Sequence, residues 1–246
     1  MSDRVTLITG GSRGIGAACA RACAAEGHAV AVNFRAETDK AMEVVEAINA
    51  AGGRAIAIQA DTSDEAQVIA MFDTVTRELG PLTGLVNNAG IHGPRVRVED
   101  MQATDIDHVL GVNVRGYFIC AREAVKRMST KHGGNGGAIV NVSSGSAHLG
   151  GGGGSILYAA SKGAVNSLTI GLAQEVAAEG IRVNTVAPGM TETDMPGADR
   201  LVEQASKIPM GRVARPEEIA ESVLWLLSDK ASHVAGANLR VAGGRL

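Results

Sequence analysis

The sequence predicts one doubly wound α/β domain across residues 1–246, with a seven-stranded parallel sheet covered by helices on both faces. Three observations carry this. Short runs rich in β-branched residues are apolar almost throughout, as strands buried on both faces must be. Longer segments with helical spacing of apolar residues lie between them. No Pro/Ser-rich linker and no internal repeat interrupts the alternation, so one sheet with crossover helices accounts for the whole order.

Val5 to Thr9, Ala29 to Asn33, Ala55 to Gln59, Leu85 to Asn87, Ile139 to Val142, Arg182 to Ala187 and Asn238 to Val241 read as the strands. Among the helices, Val68, Met71, Phe72, Val75 and Leu79 share one face after a capping Ser63, and Val165, Leu168, Leu172 and Val176 repeat the pattern later. Glycine accounts for 32 of 246 residues and is clustered rather than spread. Gly133 to Gly137 follow a helix expected to end near Lys131 and read as a helix stop. Gly150 to Gly154 form an unbroken run.

Bulk chemistry removes several function classes. Lys and Arg number 23 against 26 Asp and Glu, so no basic footprint for nucleic acid or an anionic membrane is present. No apolar run approaches the roughly 18–20 residues of a membrane span. The first strand-like segment starts at Arg4, leaving no room for a leader, and a cytoplasmic location is expected. Cys19, Cys23 and Cys120 are odd in number and lack other ligand types at metal spacing, so buried free thiols are expected and no metal site. With one Trp, two Tyr and three Phe, a site built from a cage of rings is not expected.

The first strand runs into Thr9-Gly10-Gly11-Ser12-Arg13-Gly14-Ile15-Gly16, where a helix opens. Glycines at such a junction permit a tight turn, let backbone N–H groups approach a pyrophosphate and bring the helix close to the sheet. The second strand ends at Asn33-Phe34-Arg35. A site for NAD places an acid near this point to bind the ribose 2′-hydroxyl. Here Asn33 and Arg35 stand there, with Arg13 in the glycine loop. Two guanidiniums suit a 2′-phosphate through charge-assisted hydrogen bonds, so NADP(H) is expected.

Tyr158-Ala159-Ala160-Ser161-Lys162 places a phenol and an ammonium at i and i+4, one above the other on a helix. Bringing a phenol from its ordinary pKa near 10 to neutrality takes about 4 kcal/mol of differential stabilisation, which a neighbouring cation can help to supply.

Taken together, the glycine loop, Asn87-Asn88-Ala89-Gly90, Asn113, Ser143-Ser144, Tyr158-x-x-x-Lys162 and Pro188-Gly189 occur in one order with spacings that strongly resemble the short-chain dehydrogenase/reductase family. The resemblance covers essentially the whole chain. It is strongest to bacterial members of this length, which include 3-oxoacyl-carrier-protein reductases and glucose or sugar dehydrogenases. It implies a Rossmann domain and an oxidoreductase exchanging hydride between NADP(H) and a carbonyl or secondary alcohol. By the resemblance, Tyr158 is the general acid/base, Ser144 bonds the substrate oxygen, Lys162 holds the ribose and lowers the Tyr158 pKa, and Asn113 positions a water in the proton relay. Gly10, Ser12, Arg13, Gly14, Ile15, Gly16, Asn33, Phe34 and Arg35 would line the cofactor site. So would Asp61 and Thr62 at the adenine, Asn88, Ala89 and Gly90 in the cleft, and Pro188, Gly189, Thr191 and Thr193 at the nicotinamide end.

The segments flanking this constellation are the expected substrate contacts. Ser146 and His148 lie before Tyr158, His92 follows Gly90, and Met190 opens a polar stretch, about 190–212 with Pro196 and Pro209, that reads as a substrate lid. The residues leave the substrate open among small carbonyl or alcohol compounds, sugars and polyols included. A non-catalytic NADP-binding sensor is the contrasting class; it has no need of Asn113, Ser144, Tyr158 and Lys162 together. The family resemblance also implies a homotetramer, with a C-terminal strand and tail in the interface.

Overall fold

The computed structural model describes residues 4–195 and 205–245. Strands β1 (Val5–Ile8), β2 (Ala29–Phe34), β3 (Arg54–Gln59), β4 (Gly84–Asn87), β5 (Gly137–Val142), β6 (Ile181–Pro188) and β7 (Asn238–Val241) form one sheet in the order β3-β2-β1-β4-β5-β6-β7. Every neighbouring pair is parallel. The expected strands are all present, with ends displaced by one or two residues.

Helices α1 (Gly14–Ala25), α2 (Thr38–Ala50), α3 (Glu65–Leu79), α4 (Ala103–Leu110), α5 (Gly116–Met128), α6 (Ser146–Leu149), α7 (Ile156–Val176) and α8 (Pro216–Leu227) accompany the sheet. The doubly apolar strands now have their explanation. Successive side chains of a strand point to opposite faces. Ile8, Val32, Val86 and Val140 enter a core with α1, α2 and α8, whereas Leu7, Ala31, Leu85 and Ile139 enter a second core with α3, α5 and α7. No helix among the described residues is long and apolar enough to cross a membrane.

The cysteines fall inside these cores: Cys19 and Cys23 in the first, Cys120 in the second. Burial pushes the Cys23 and Cys120 thiols up to about 12, which keeps them protonated and unreactive. Helix α3 corrects one expectation. Its cap is Asp64, whose carboxylate accepts from the Gln67 N–H, while Ser63 turns back to donate to Asp61. A carboxylate serves this end better because it also meets the helix dipole. Helix α5 stops at Met128, before Lys131, and the chain then makes a single tight turn over Thr130–His132. The glycine stop is sterically required: a side chain on Gly134 would place Cβ 2.4 Å from the Met128 carbonyl.

The strand order reverses between β1 and β4, where the connections leave in opposite directions. A crevice opens at the carboxyl ends of the strands at such a switch point. The glycine loop and the Asn88–Gly90 turn leave the sheet side by side there.

Candidate active site

A cavity of about 670 Å³ occupies that crevice. Its cofactor half starts from the glycine loop, which is held by a compact set of hydrogen bonds. Gly11 N–H donates to the Asn33 carbonyl at 2.7 Å and Gly10 N–H to Asn33 Oδ1 at 3.2 Å. Asn88 Nδ2 donates to the Thr9 and Gly10 carbonyls at 2.9 and 3.0 Å. Thr9 Oγ1 accepts from the Asn88 and Ala89 N–H groups. Gly10 sits at φ 62° and Gly14 at φ 53°, backbone that a side chain disfavours. Helix α1 has no side-chain cap and no acid in its first turn, so its amide donors remain for an anion.

Ser12, Arg13, Gly14, Ile15, Gly16, Phe34, Arg35, Asp61, Thr62, Asn88, Ala89, Gly90, Pro188, Gly189, Thr191 and Thr193 all reach this cavity, as do Gly10 and Asn33. Asn33 lines the cavity as expected and has a structural duty as well. It is buried, and besides accepting from Gly10 it donates to the Ala60 carbonyl at 3.0 Å, so its side chain ties the loop to the chain leaving β3. Arg13 meets Asp194 at 3.3 Å and Arg35 meets Asp61 at 3.8 Å, with both arginines more than half exposed. Exposed pairs of this kind are worth about 0–1 kcal/mol, so both guanidiniums are available to a stronger anion.

The reactive half is built where β5 ends and α7 begins. Ser143 and Ser144 part ways: Ser143 Oγ donates to the Lys162 carbonyl at 3.0 Å, whereas Ser144 pairs with the Tyr158 hydroxyl. Ser144 Oγ also accepts from Ser146 N–H at 3.1 Å. Lys162 Nζ, fully buried, donates to Tyr117 Oη at 3.0 Å and to the Val142 carbonyl at 2.8 Å. Burial lowers its pKa to about 7. The expected lowering of the Tyr158 phenol by Lys162 is corrected here: burial raises its pKa, and the Ser144 hydrogen bond offsets this only in part. The ammonium is turned to Tyr117 and Val142 and lies 6.0 Å from the Tyr158 ring centre.

Asn113 is fully buried where the α4–α5 helix widens over Gly111–Arg115, Gly116 N–H reaching back five residues to Gly111. Its amide donates to the Ile91 carbonyl and to Ser161 Oγ and accepts from Ile91 N–H. Its amide thus holds the Gly90–Ile91 turn with one N–H and its oxygen, and reaches Ser161 on α7 with the other N–H, leaving one acceptor lone pair for a water. A Cβ on Gly90 would sit 3.4 Å from both Asn113 Oδ1 and Lys162 Nζ, which shows how closely the turn brings these two together.

Of the expected substrate contacts, His92, Ser146 and Met190 line the cavity. His92 stacks on Tyr158 with ring centres 4.9 Å apart, and its Nε2 is 3.1 Å from Ser155 Oγ. His148 is directed elsewhere, its Nε2 lying 3.3 Å from Asn238 Nδ2 and its side chain outside the cavity wall. Residues 196–204 of the expected lid, Pro196 included, lie outside the described residues. The described ends of the segment are joined, Glu192 N–H donating to the Ala214 carbonyl and Ala214 N–H to Met190.

Tyr117, Ser155 and Arg95 are site residues that sequence reasoning overlooked. Tyr117 carried a signal, being one of two tyrosines and one helical turn beyond Asn113. Ser155 and Arg95 carried none, because only the folded loops bring them together.

Comparison with known proteins gives a consistent picture. Residues 10–245 match the family model described as enoyl-(acyl carrier protein) reductase. An uncharacterized oxidoreductase of Escherichia coli, YgfF, is 52% identical, over 98% of this chain and 99% of its own. The cis-4-hydroxycyclohexanecarboxylate dehydrogenase of Sinomonas cyclohexanicum is 41% identical, over 99% of this chain and 96% of its own. A short-chain dehydrogenase from Burkholderia cenocepacia, solved in complex with NADP, superposes with a TM-score of 0.92 at 37% identity, covering 99% of this chain and 98% of that one. Likeness over nearly the whole length in sequence and in fold leads to one assignment: the chain belongs to the short-chain dehydrogenase/reductase family.

Proposed function

We propose that this oxidoreductase is an NADP(H)-dependent carbonyl reductase and secondary-alcohol dehydrogenase with Tyr158 as its acid/base. The observation that carries the reading is the convergence of Ser144, Tyr158 and Lys162 on one wall of the cavity whose other half is the glycine loop. The uncapped start of α1 fits a pyrophosphate, and Arg13 and Arg35 fit a 2′-phosphate. When bound, the nicotinamide supplies or takes the hydride. Tyr158 then delivers a proton to the carbonyl oxygen, Ser144 donates a hydrogen bond to the same oxygen, and oxidation is the reverse. Lys162, held by Tyr117 and Val142, has one ammonium hydrogen left for a ribose hydroxyl. The Sinomonas relative is named for a hydroxylated six-membered ring, and an alcohol or ketone of that size is the substrate class we assign here.

The test is a screen of cyclic ketones, sugars and 3-oxoacyl thioesters, following nicotinamide absorbance with each cofactor. Charge-assisted bonds to the 2′-phosphate are each worth about 1.5–3 kcal/mol, so NADPH should outcompete NADH by about 10-fold or more in KM. Equal use of NADH overturns the cofactor assignment.

We also propose a homotetramer. Phe118 on α5 and Ile170 on α7 are 52% and 50% exposed, large apolar side chains that an isolated subunit leaves in water. Sedimentation equilibrium should give four times the 25.1 kDa subunit mass; a monomer would remove this part of the reading.

A further inference from the structure

Charge is distributed unevenly along the cavity. Its acidic wall residues are Glu37, Asp61 and Asp194. Two of them face the cofactor-side guanidiniums: Asp61 pairs with Arg35 and Asp194 with Arg13. Glu37 borders the start of α2, close behind Arg35. The wall around Tyr158 carries a cation instead, Arg95, which forms no ion pair with any described residue.

Arg95 is tied to the reacting centre by a short series of contacts. Its Nη1 lies 3.4 Å from Ser155 Oγ, Ser155 Oγ lies 3.1 Å from His92 Nε2, and the His92 ring stacks on Tyr158. The glycine run before α7 makes this approach possible. Gly154, at φ 86°, packs so closely that a Cβ would sit 3.1 Å from the Arg95 carbonyl carbon and the Val96 nitrogen. At Gly151, φ 67°, a Cβ would meet the Ser155 carbonyl at 2.3 Å. A side chain at Gly154 would push the Arg95 loop away, and one at Gly151 would displace Ser155. The run is therefore more than a flexible spacer: it brings a guanidinium to the rim of the substrate space.

We propose that Arg95 binds a carboxylate on the substrate, so that the preferred substrates are small oxo or hydroxy acids whose acid group lies remote from the reacting carbon. This rests on the reductase reading above and refines its substrate class. A guanidinium offers planar paired donors that match a carboxylate. One of its donors faces Ser155 and the others have no protein acceptor among the described residues. A neutral ketone gains nothing from that group, whereas its carboxylated counterpart does.

The test compares 4-oxocyclohexanecarboxylate with cyclohexanone, each reduced with NADPH by the intact enzyme and by Arg95→Gln. The intact enzyme should favour the acid by about 10-fold or more in kcat/KM, and Arg95→Gln should erase that preference, lowering kcat/KM for the acid by about that factor more than for cyclohexanone. Arg95→Lys should recover part of the preference, since charge is kept while paired geometry is lost. No preference in the intact enzyme, or equal losses for both ketones in the variant, overturns the proposal. Calorimetric titration with cyclohexanecarboxylate, which cannot react, separates it from the reductase reading. Binding that Arg95→Gln abolishes supports the arginine site even if neither ketone turns over, and binding indifferent to the substitution rejects it.

Discussion

Tyr158→Phe is expected to lower kcat for ketone reduction by about 1000-fold, within the range that loss of a positioned acid or base produces. The substitution removes one oxygen and little else. The ring that stacks on His92 is kept, so volume and packing are conserved and stability should change by less than about 1.5 kcal/mol. What disappears is the hydroxyl paired with Ser144, the group placed to give its proton to the substrate oxygen. Burial raises the phenol's pKa, so the proton-donating form persists through neutral pH, and reduction should lose rate only as pH climbs through that raised value. The variant should lose this alkaline limb together with its rate, while NADPH affinity, read by fluorescence titration, stays within a few-fold. A variant retaining a tenth of the activity would end the assignment of Tyr158 as acid.

The second large effect is expected at Gly16. A methyl group there would lie 2.2 Å from the Gly10 carbonyl oxygen and 2.6 Å from Asn88 Nδ2. Neither neighbour is a free side-chain end. The carbonyl belongs to the loop itself, and the amide is the one that bonds Thr9 and Gly10. Gly16→Ala must therefore move α1 away from the sheet or break the Asn88 bonds. Overpacking costs about 1–3 kcal/mol and each lost hydrogen bond about 1 kcal/mol. A total near 3 kcal/mol corresponds to a fall of about 6–12 °C in the melting temperature of a chain this long. NADPH binding should weaken by at least about 100-fold, because the displaced amides are the ones that would meet the pyrophosphate. Gly152→Ala is the matching control: a Cβ there meets nothing within 4 Å, so melting should be nearly unchanged. Loss of stability in both, or in neither, would refute the steric argument.

How much of this was legible in the sequence depends on the kind of interaction. Strands and their alternation were readable because a parallel sheet buried on both faces demands apolar residues at every position, as Leu7 and Ile8 or Val86 and Leu85 show. The glycine loop and the Tyr158/Lys162 pair were readable because backbone conformation and helical spacing act over a few residues. Side-chain commitments were not, since they are settled by competition among neighbours distant in sequence. Ser63 and Asp64 both suit a cap, and the winner depended on Asp61 offering Ser63 another partner. Lys162 was expected to face the phenol, yet a buried ammonium takes the nearest acceptors, and Tyr117 and Val142 supply them. His148 was close to Tyr158 in sequence, but the turn into α6 carries it toward Asn238.

The hydrogen bonds of Asn33 have a consequence for how such an enzyme can change over evolutionary time. Because its amide is spent on the Gly10 N–H and the Ala60 carbonyl, altering this residue in order to alter cofactor choice would damage the loop's architecture. Arg13 and Arg35 have no such duty; each is more than half exposed and pairs with a single carboxylate. Scaffold and discrimination thus reside in separate side chains a few residues apart. Selection can exchange one dinucleotide for another at the surface arginines while the asparagine beneath them stays fixed, so preference can drift without the fold being put at risk.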